Sequence, residues 1–168
     1  MSSLTTIPRD AQKTAGGLAY VLLANYADVS TSIDASGYCE FDPSSSTAWT
    51  KFILTKEGSN WTDVPTGNPT AGSQFYVQTL TLVFGRNDTV KRNNVYALGT
   101  SEVVAVVREN SGNNICLGSE NGLDMTSGGA GSGTAMGDTT GVNIVLSGNE
   151  PKPYAFVTDA SLAEITPG

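Results

Sequence analysis

The chain has 168 residues, of which 39% are hydrophobic and 15% charged, with a formal net charge of −7 and a sequence pI near 4.4. That length makes one ordinary domain with a real core, and its 19 glycines, with abundant Ser and Thr, favour a turn-rich β fold. The acidity argues against nucleic-acid binding through the outer surface, because phosphates need Lys and Arg to displace their counterions. The absence of histidine excludes His triads, imidazole zinc sites and His general bases.

Along the chain, Met1–Thr14 is polar with one proline and reads as an extended N-terminal arm. Gly16–Ala24 is the nearest thing to a signal peptide. Its leader carries Asp10 and the run opens on two glycines, so a buried strand and a cytoplasmic location are expected over secretion. Leu18–Ala24 is the first strong strand. Tyr26–Gly37 reads as a loop or weak edge strand, Tyr38–Phe41 as a brief pairing, and Asp42-Pro-Ser-Ser-Ser as a turn. Trp49–Thr55 reads as a strand with both faces partly covered, which places Trp49 in the core or at a subunit seam.

Lys56–Ser73 loses apolar periodicity and carries Gly58, Pro65, Gly67, Asn68-Pro69 and Gly72, so it reads as a long loop. A solvated surface loop is the plain reading. An isolated tryptophan in polar sequence needs something to bury against, however. Trp61, flanked by Asn60 and Val64, is therefore the candidate for a self-assembly interface, with Trp49 as a further contributor.

Gln74–Phe84 is the clearest strand, with Phe75, Val77, Thr79, Thr81 and Val83 on one face and Tyr76, Gln78, Leu80, Leu82 and Phe84 on the other. Asp88–Leu98 is the only convincing helix, capped by Asn87 or Asp88 and ended by Gly99. Glu102–Arg108 has the continuous apolar character of a strand buried on both faces. A hairpin turn leads to Ile115–Leu117. Leu123–Thr126 and Val142–Leu146 flank the glycine-rich loop Ser127–Gly133, and Tyr154–Val157 closes the set, with Pro151 and Pro153 arguing for a sheet edge.

Chemistry is absent from these patterns. Gly128–Gly133 lacks the strand-then-helix context and the Gly-Lys-Ser/Thr of a phosphate cradle. Asp138 in Met-Gly-Asp-Thr-Thr-Gly fits turn chemistry better than a calcium loop. Cys39 and Cys116 cannot form a zinc site, and read as two partly buried thiols, with a single disulfide left open. No catalytic residue, cofactor or metal ligand is expected, and no apolar run is long enough for a membrane helix.

The stretch Gly112–Val157 resembles the C-terminal half of major tail proteins, the tail tube proteins of long-tailed bacteriophages. The matching residues are Gly118, Asn121, Gly122 and Leu123 at a strand entry, then Gly137, Asp138 and Gly141 at a turn, and Gly148, Glu150 and Pro153 at a strand exit. The resemblance implies a mainly β chain, residues 1–168 forming one antiparallel β-sandwich or barrel-like domain with one flanking α-helix. It further implies a non-enzymatic virion protein made in the host bacterial cytoplasm that assembles with itself into stacked, hexameric rings. Strands of neighbouring copies would continue into an inner barrel, the arm and the 56–73 loop would bridge rings, and other tail proteins would be partners. DNA would pass through the lumen without specific binding. The long strand Gln74–Phe84 and the run Glu102–Arg108 would line that lumen, which is expected to be net acidic, with strand ends and turns supplying charge that composition alone does not locate.

Two alternatives remain. One is a β-sandwich binding module, for capsid decoration or carbohydrate, with Trp49, Trp61 and Tyr76 as a stacking platform. The other is a different virion protein of the head or neck.

Overall fold

The computed structural model describes residues 4–9, 14–42, 44, 48–55 and 57–167. The fold is mainly β, with antiparallel sheets and no closed barrel. Of the expected arm, residues 4–9 and 14 are described and carry no helix or strand; the rest lies outside the described residues, as do Lys56 and most of the turn after Asp42.

The apolar run after Gly17 forms β1 (Leu18–Asn25), followed by a short 3-10 turn at Tyr26–Asp28 and the ribbon of β2 (Thr31–Ile33) and β3 (Cys39–Phe41). Then come β4 (Thr50–Ile53), β5 (Asn60–Asn68), β6 (Ser73–Gly85) and the helix α1 (Thr89–Leu98). β7 (Val103–Glu109), β8 (Asn114–Leu117), β9 (Asp124–Gly131), β10 (Gly141–Glu150) and β11 (Ala155–Phe156) complete the strands, and α2 (Asp159–Ile165) ends the described chain. One sheet runs β11-β8-β7-β1-β4 and the other β5-β6-β10-β9.

These elements stack in three layers. Between the two large sheets lies a core that includes Val21, Leu23, Leu80, Leu82, Val103, Val107, Ile144 and Leu146, all buried. Each such aliphatic side chain contributes about 2 kcal/mol by leaving water. The other face of the five-stranded sheet presents Leu22, Val104, Val106 and Cys116 to a second core, covered by Cys39 and Phe41 of the ribbon, Trp49, and Leu162 and Ile165 of α2. The five-stranded sheet is thus covered on both sides. The four-stranded sheet is covered on one.

That layering corrects one expectation. β7 is buried on both faces, as its apolar run requires, so Glu102–Arg108 cannot line a lumen. β6 behaves as its alternation dictates: Gln78, Leu80, Leu82 and Phe84 are buried, while Val77, Thr79, Thr81 and Val83 face outward and stay partly exposed.

The 56–73 loop is a second correction. Nine of its residues form β5, paired antiparallel with β6 from Asn60↔Thr81 to Asn68↔Ser73. Its glycines and prolines serve the turn, where Asn68 Oδ1 accepts from Thr70 N at 3.1 Å and Ala71 N at 3.3 Å. A strand of mostly polar residues on a sheet edge carries no apolar alternation to read, which hid it. The glycine-rich loop is shorter than expected for the same reason: β9 continues through Gly128 and Gly129 to Gly131, pairing with Gly141–Ser147 of β10.

The expected helix is present as α1, with Asp88 as N-cap accepting from Lys91 N at 2.8 Å. α2, capped by Thr158, was not expected from the sequence. Its seven residues are too short to show helical periodicity on their own.

Candidate assembly surface

Of the residues that carry the C-terminal resemblance, Gly118, Asn121, Gly122, Gly148 and Glu150 meet at one joint, while Gly137, Asp138 and Gly141 lie at the β9–β10 turn at the other end of β10. Gly118 and Gly122 both hold positive φ, at 73° and 80°, the region that favours glycine. They bend the β8–β9 connection back against β10, where Gly148 lets the Gly122 carbonyl approach closer than a Cβ would permit. Asn121 Nδ2 donates to Asn149 O at 2.8 Å. Glu150, 1% exposed, accepts from Glu120 N and Asn121 N, each at 3.0 Å. Burial pushes its carboxyl above the ordinary range, and these backbone N–H groups oppose that shift. Lys152 and Glu120 pair beside it at 2.8 Å. The motif therefore fastens β10 to the start of β9 and fixes where the four-stranded sheet ends.

That sheet leaves its outer face without a covering layer among the described residues. Reading across it by register, Thr62, Thr79, Ser147 and Asp124 form one row of the outer face. Asn60, Thr81, Val145 and Ser127 form the next. None of β5, β6, β9 or β10 contains Lys or Arg, and Asp124 is the sole charged residue on the outer face, since Asp63 and Glu150 fall on the inner one. The face is close to neutral rather than strongly acidic.

The edges of the two sheets differ. In the five-stranded sheet the edge strands are β11, two residues long behind Pro151 and Pro153, and β4, four residues carrying Lys51. Short strands, prolines and lysines are what blunt an edge against pairing. The four-stranded sheet ends on β5, nine residues, and β9, eight residues, neither with a lysine. Beside β9 an open groove of about 650 Å³ separates the strand from α1, lined by Arg92, Val95, Met125, Gly128 and Val142 among others.

Of the expected interface residues, Asn60 and Val64 lie on the outer face of β5, and Val64 is 53% exposed. Trp61 points the other way. It packs against the core between the sheets, donates Nε1 to Glu109 Oε1 at 2.8 Å and meets Tyr154 at 4.9 Å between ring centroids. Trp49 is buried in the second core, edge-on to Phe41 at 5.1 Å. Trp49, Trp61 and Tyr76 therefore form no common platform: Trp49 is on another layer, and Tyr76 lies four residues along β6 from Leu80, the register partner of Trp61.

What the sequence reading missed is a surface row of aromatics, Trp61, Tyr154, Phe156 and Tyr38. Their positions are scattered along the chain, and only the pairing of β11 with β8 and the Tyr38↔Phe156 bridge bring them together. Among the described residues no cluster of His, Cys, Asp or Glu could hold a metal ion. No known protein family, curated protein or solved structure matches this chain.

Proposed function

We propose that the chain is a structural virion subunit that assembles with itself into stacked, hexameric rings, forming a tail tube through which DNA is ejected. One observation carries the reading. The four-stranded sheet combines two long, lysine-free edges with an outer face free of Lys and Arg, while the other large sheet has short edges and both faces covered. A sheet of that kind can continue from copy to copy, β5 of one against β9 of the next. Such a head-to-tail contact closes into a ring when the rotation per copy divides the circle. The outer faces would then wall a lumen with nothing to hold a phosphate backbone. No catalytic group is required, and Trp49, Trp61 and Tyr76, the trio considered for a carbohydrate platform, do not share a surface.

Negative-stain electron microscopy of the purified chain tests the proposal. Rings or tubes with a central channel are expected. A particle that stays monomeric at high concentration refutes it in favour of a binding module. Assembly accompanied by salt-sensitive duplex binding favours a head or neck protein.

A further inference from the structure

Trp61, Tyr154, Phe156 and Tyr38 form a surface row with centroid steps of 4.9, 5.6 and 6.5 Å, a contour of about 17 Å from ring to ring. Tyr38, Tyr154 and Phe156 are 43%, 37% and 40% exposed. A contiguous aromatic patch left in water marks an interaction site. Successive rings are tilted by 59°, 69° and 53°. Rings tilted in contact with one another present faces and edges together, a surface on which proline rings and aliphatic side chains of an extended segment pack.

The rim is acidic. Glu109 accepts from Trp61 at one end, and Asp34 accepts from Tyr38 N at 2.9 Å at the other. Beneath the row Asp63 Oδ2 accepts from Tyr154 N at 2.7 Å, and Asp63 Oδ1 is buried with no hydrogen-bond partner among the described residues. None of these three carboxylates has an ion-pair partner among the described residues. The row thus selects an extended, proline-bearing segment with a cationic side chain.

The same chain carries such a segment. Residues 4–9, Leu-Thr-Thr-Ile-Pro-Arg, are all exposed, with Leu4 at 102% and Ile7 at 91%, so nothing in their own subunit covers them. Pro8 holds itself and Ile7 in extended or polyproline backbone. Six residues at about 3.1 Å each span about 19 Å, which matches the row. Arg9 supplies the charge the rim lacks.

We infer that the aromatic row is a docking surface for residues 4–9 of a second copy, with Ile7 and Pro8 packed across the exposed rings and Arg9 on the acidic rim. The inference rests on the self-assembly reading only in taking a second copy as the source.

The test is a double-mutant cycle on self-association of the full chain, measured by sedimentation. It combines Arg9→Glu with Phe156→Ser, both exposed positions that leave the cores untouched. Each single change is expected to weaken association about ten-fold, and the double variant no more than either alone. Additive effects, or no effect of either, overturn the inference. A synthetic peptide of residues 1–14 gives a second readout. It should bind the parent saturably, bind Phe156→Ser at least ten-fold more weakly, and lose affinity in high salt. Equal binding to both proteins, or none, overturns the inference. Rings seen for every variant with an additive cycle would remove the docking surface and leave the tube reading standing. A parent that associates through this contact without forming rings, and still binds the peptide through Phe156, would remove the tube reading and leave the docking surface.

Discussion

Trp61→Ala tests whether this side chain belongs to its own subunit's fold. In the structure the indole packs on the inter-sheet core, meets Tyr154 and donates to Glu109 Oε1 at 2.8 Å. Truncating a fully buried Trp costs about 3–5 kcal/mol, so a half-buried one costs about 2 kcal/mol. Losing a hydrogen bond to a carboxylate adds about 1.5 kcal/mol. The sum is about 3.5 kcal/mol, a drop in melting temperature of about 10 °C for a domain of this size. Trp61→Phe keeps most of the burial and removes only the donor, so it should cost about 1.5 kcal/mol. Urea unfolding followed by far-UV circular dichroism measures both. A Trp61→Ala variant within about 0.5 kcal/mol of the parent, a change typical of an unconstrained surface site, would refute the packing argument. Such a variant that failed to assemble would return Trp61 to the interface.

Three further outcomes are expected. Glu150→Ala leaves two backbone N–H groups of the buried turn unpaired and should destabilise the fold by about 2–4 kcal/mol in the same unfolding assay. Because the folded-state pKa of Glu150 is raised, its contribution to stability falls as pH rises from the unfolded value of about 4.3 through the folded one; Glu150→Gln should flatten that part of the stability profile, and an unchanged slope would contradict the assignment. The neighbouring Cys39 thiol and burial push the Cys116 thiol well up, so neither cysteine should react with a thiol reagent until the chain unfolds, and prompt labelling of the native protein would count against the packing of the second core.

The strands that the sequence made legible are those facing a core. β1, β6, β7 and β10 carry apolar side chains because one or both faces are covered, and burial leaves a period of two or a continuous run. α1 was legible from its ends, Asp88 and Gly99, rather than from its weak amphipathic pattern. β5 and the second half of β9 were not legible. Their outward side chains are polar or absent, and what makes them strands is backbone pairing with the neighbouring strand, nine register pairs of β5 with β6 and five of Ser127–Gly131 with β10, which leaves no side-chain pattern. The aromatic row was invisible for a stronger reason. Tyr38, Trp61 and Tyr154 share no local pattern, and only Tyr154 and Phe156, either side of the buried Ala155, carry a local hint of a shared face.

The strands that escaped the sequence reading are the edges on which the proposed assembly depends, and one physical cause explains both. A strand that completes its pairing only in a neighbour has no reason to be apolar in its own subunit, and must remain soluble before assembly. Polar residues and glycine meet that need, and erase the pattern that announces a strand. They also bring the hazard of edges pairing indiscriminately. β5 limits that hazard with Pro65, which lacks an N–H and so restricts the registers in which another strand can pair along it. The irregular register of β9 between Val145 and Leu146 of its partner does the same on the other side. The outer face then decides what an assembled wall can touch. Thr81 and Val145 lie at its centre, and Thr81→Lys with Val145→Lys would place two cations per copy where none stands. Parent particles should show no affinity for duplex DNA at physiological salt. The doubly substituted particles should bind it with an affinity that falls steeply as salt rises. If the parent already binds DNA in a salt-sensitive way, the uncharged sheet is not the wall of a DNA conduit.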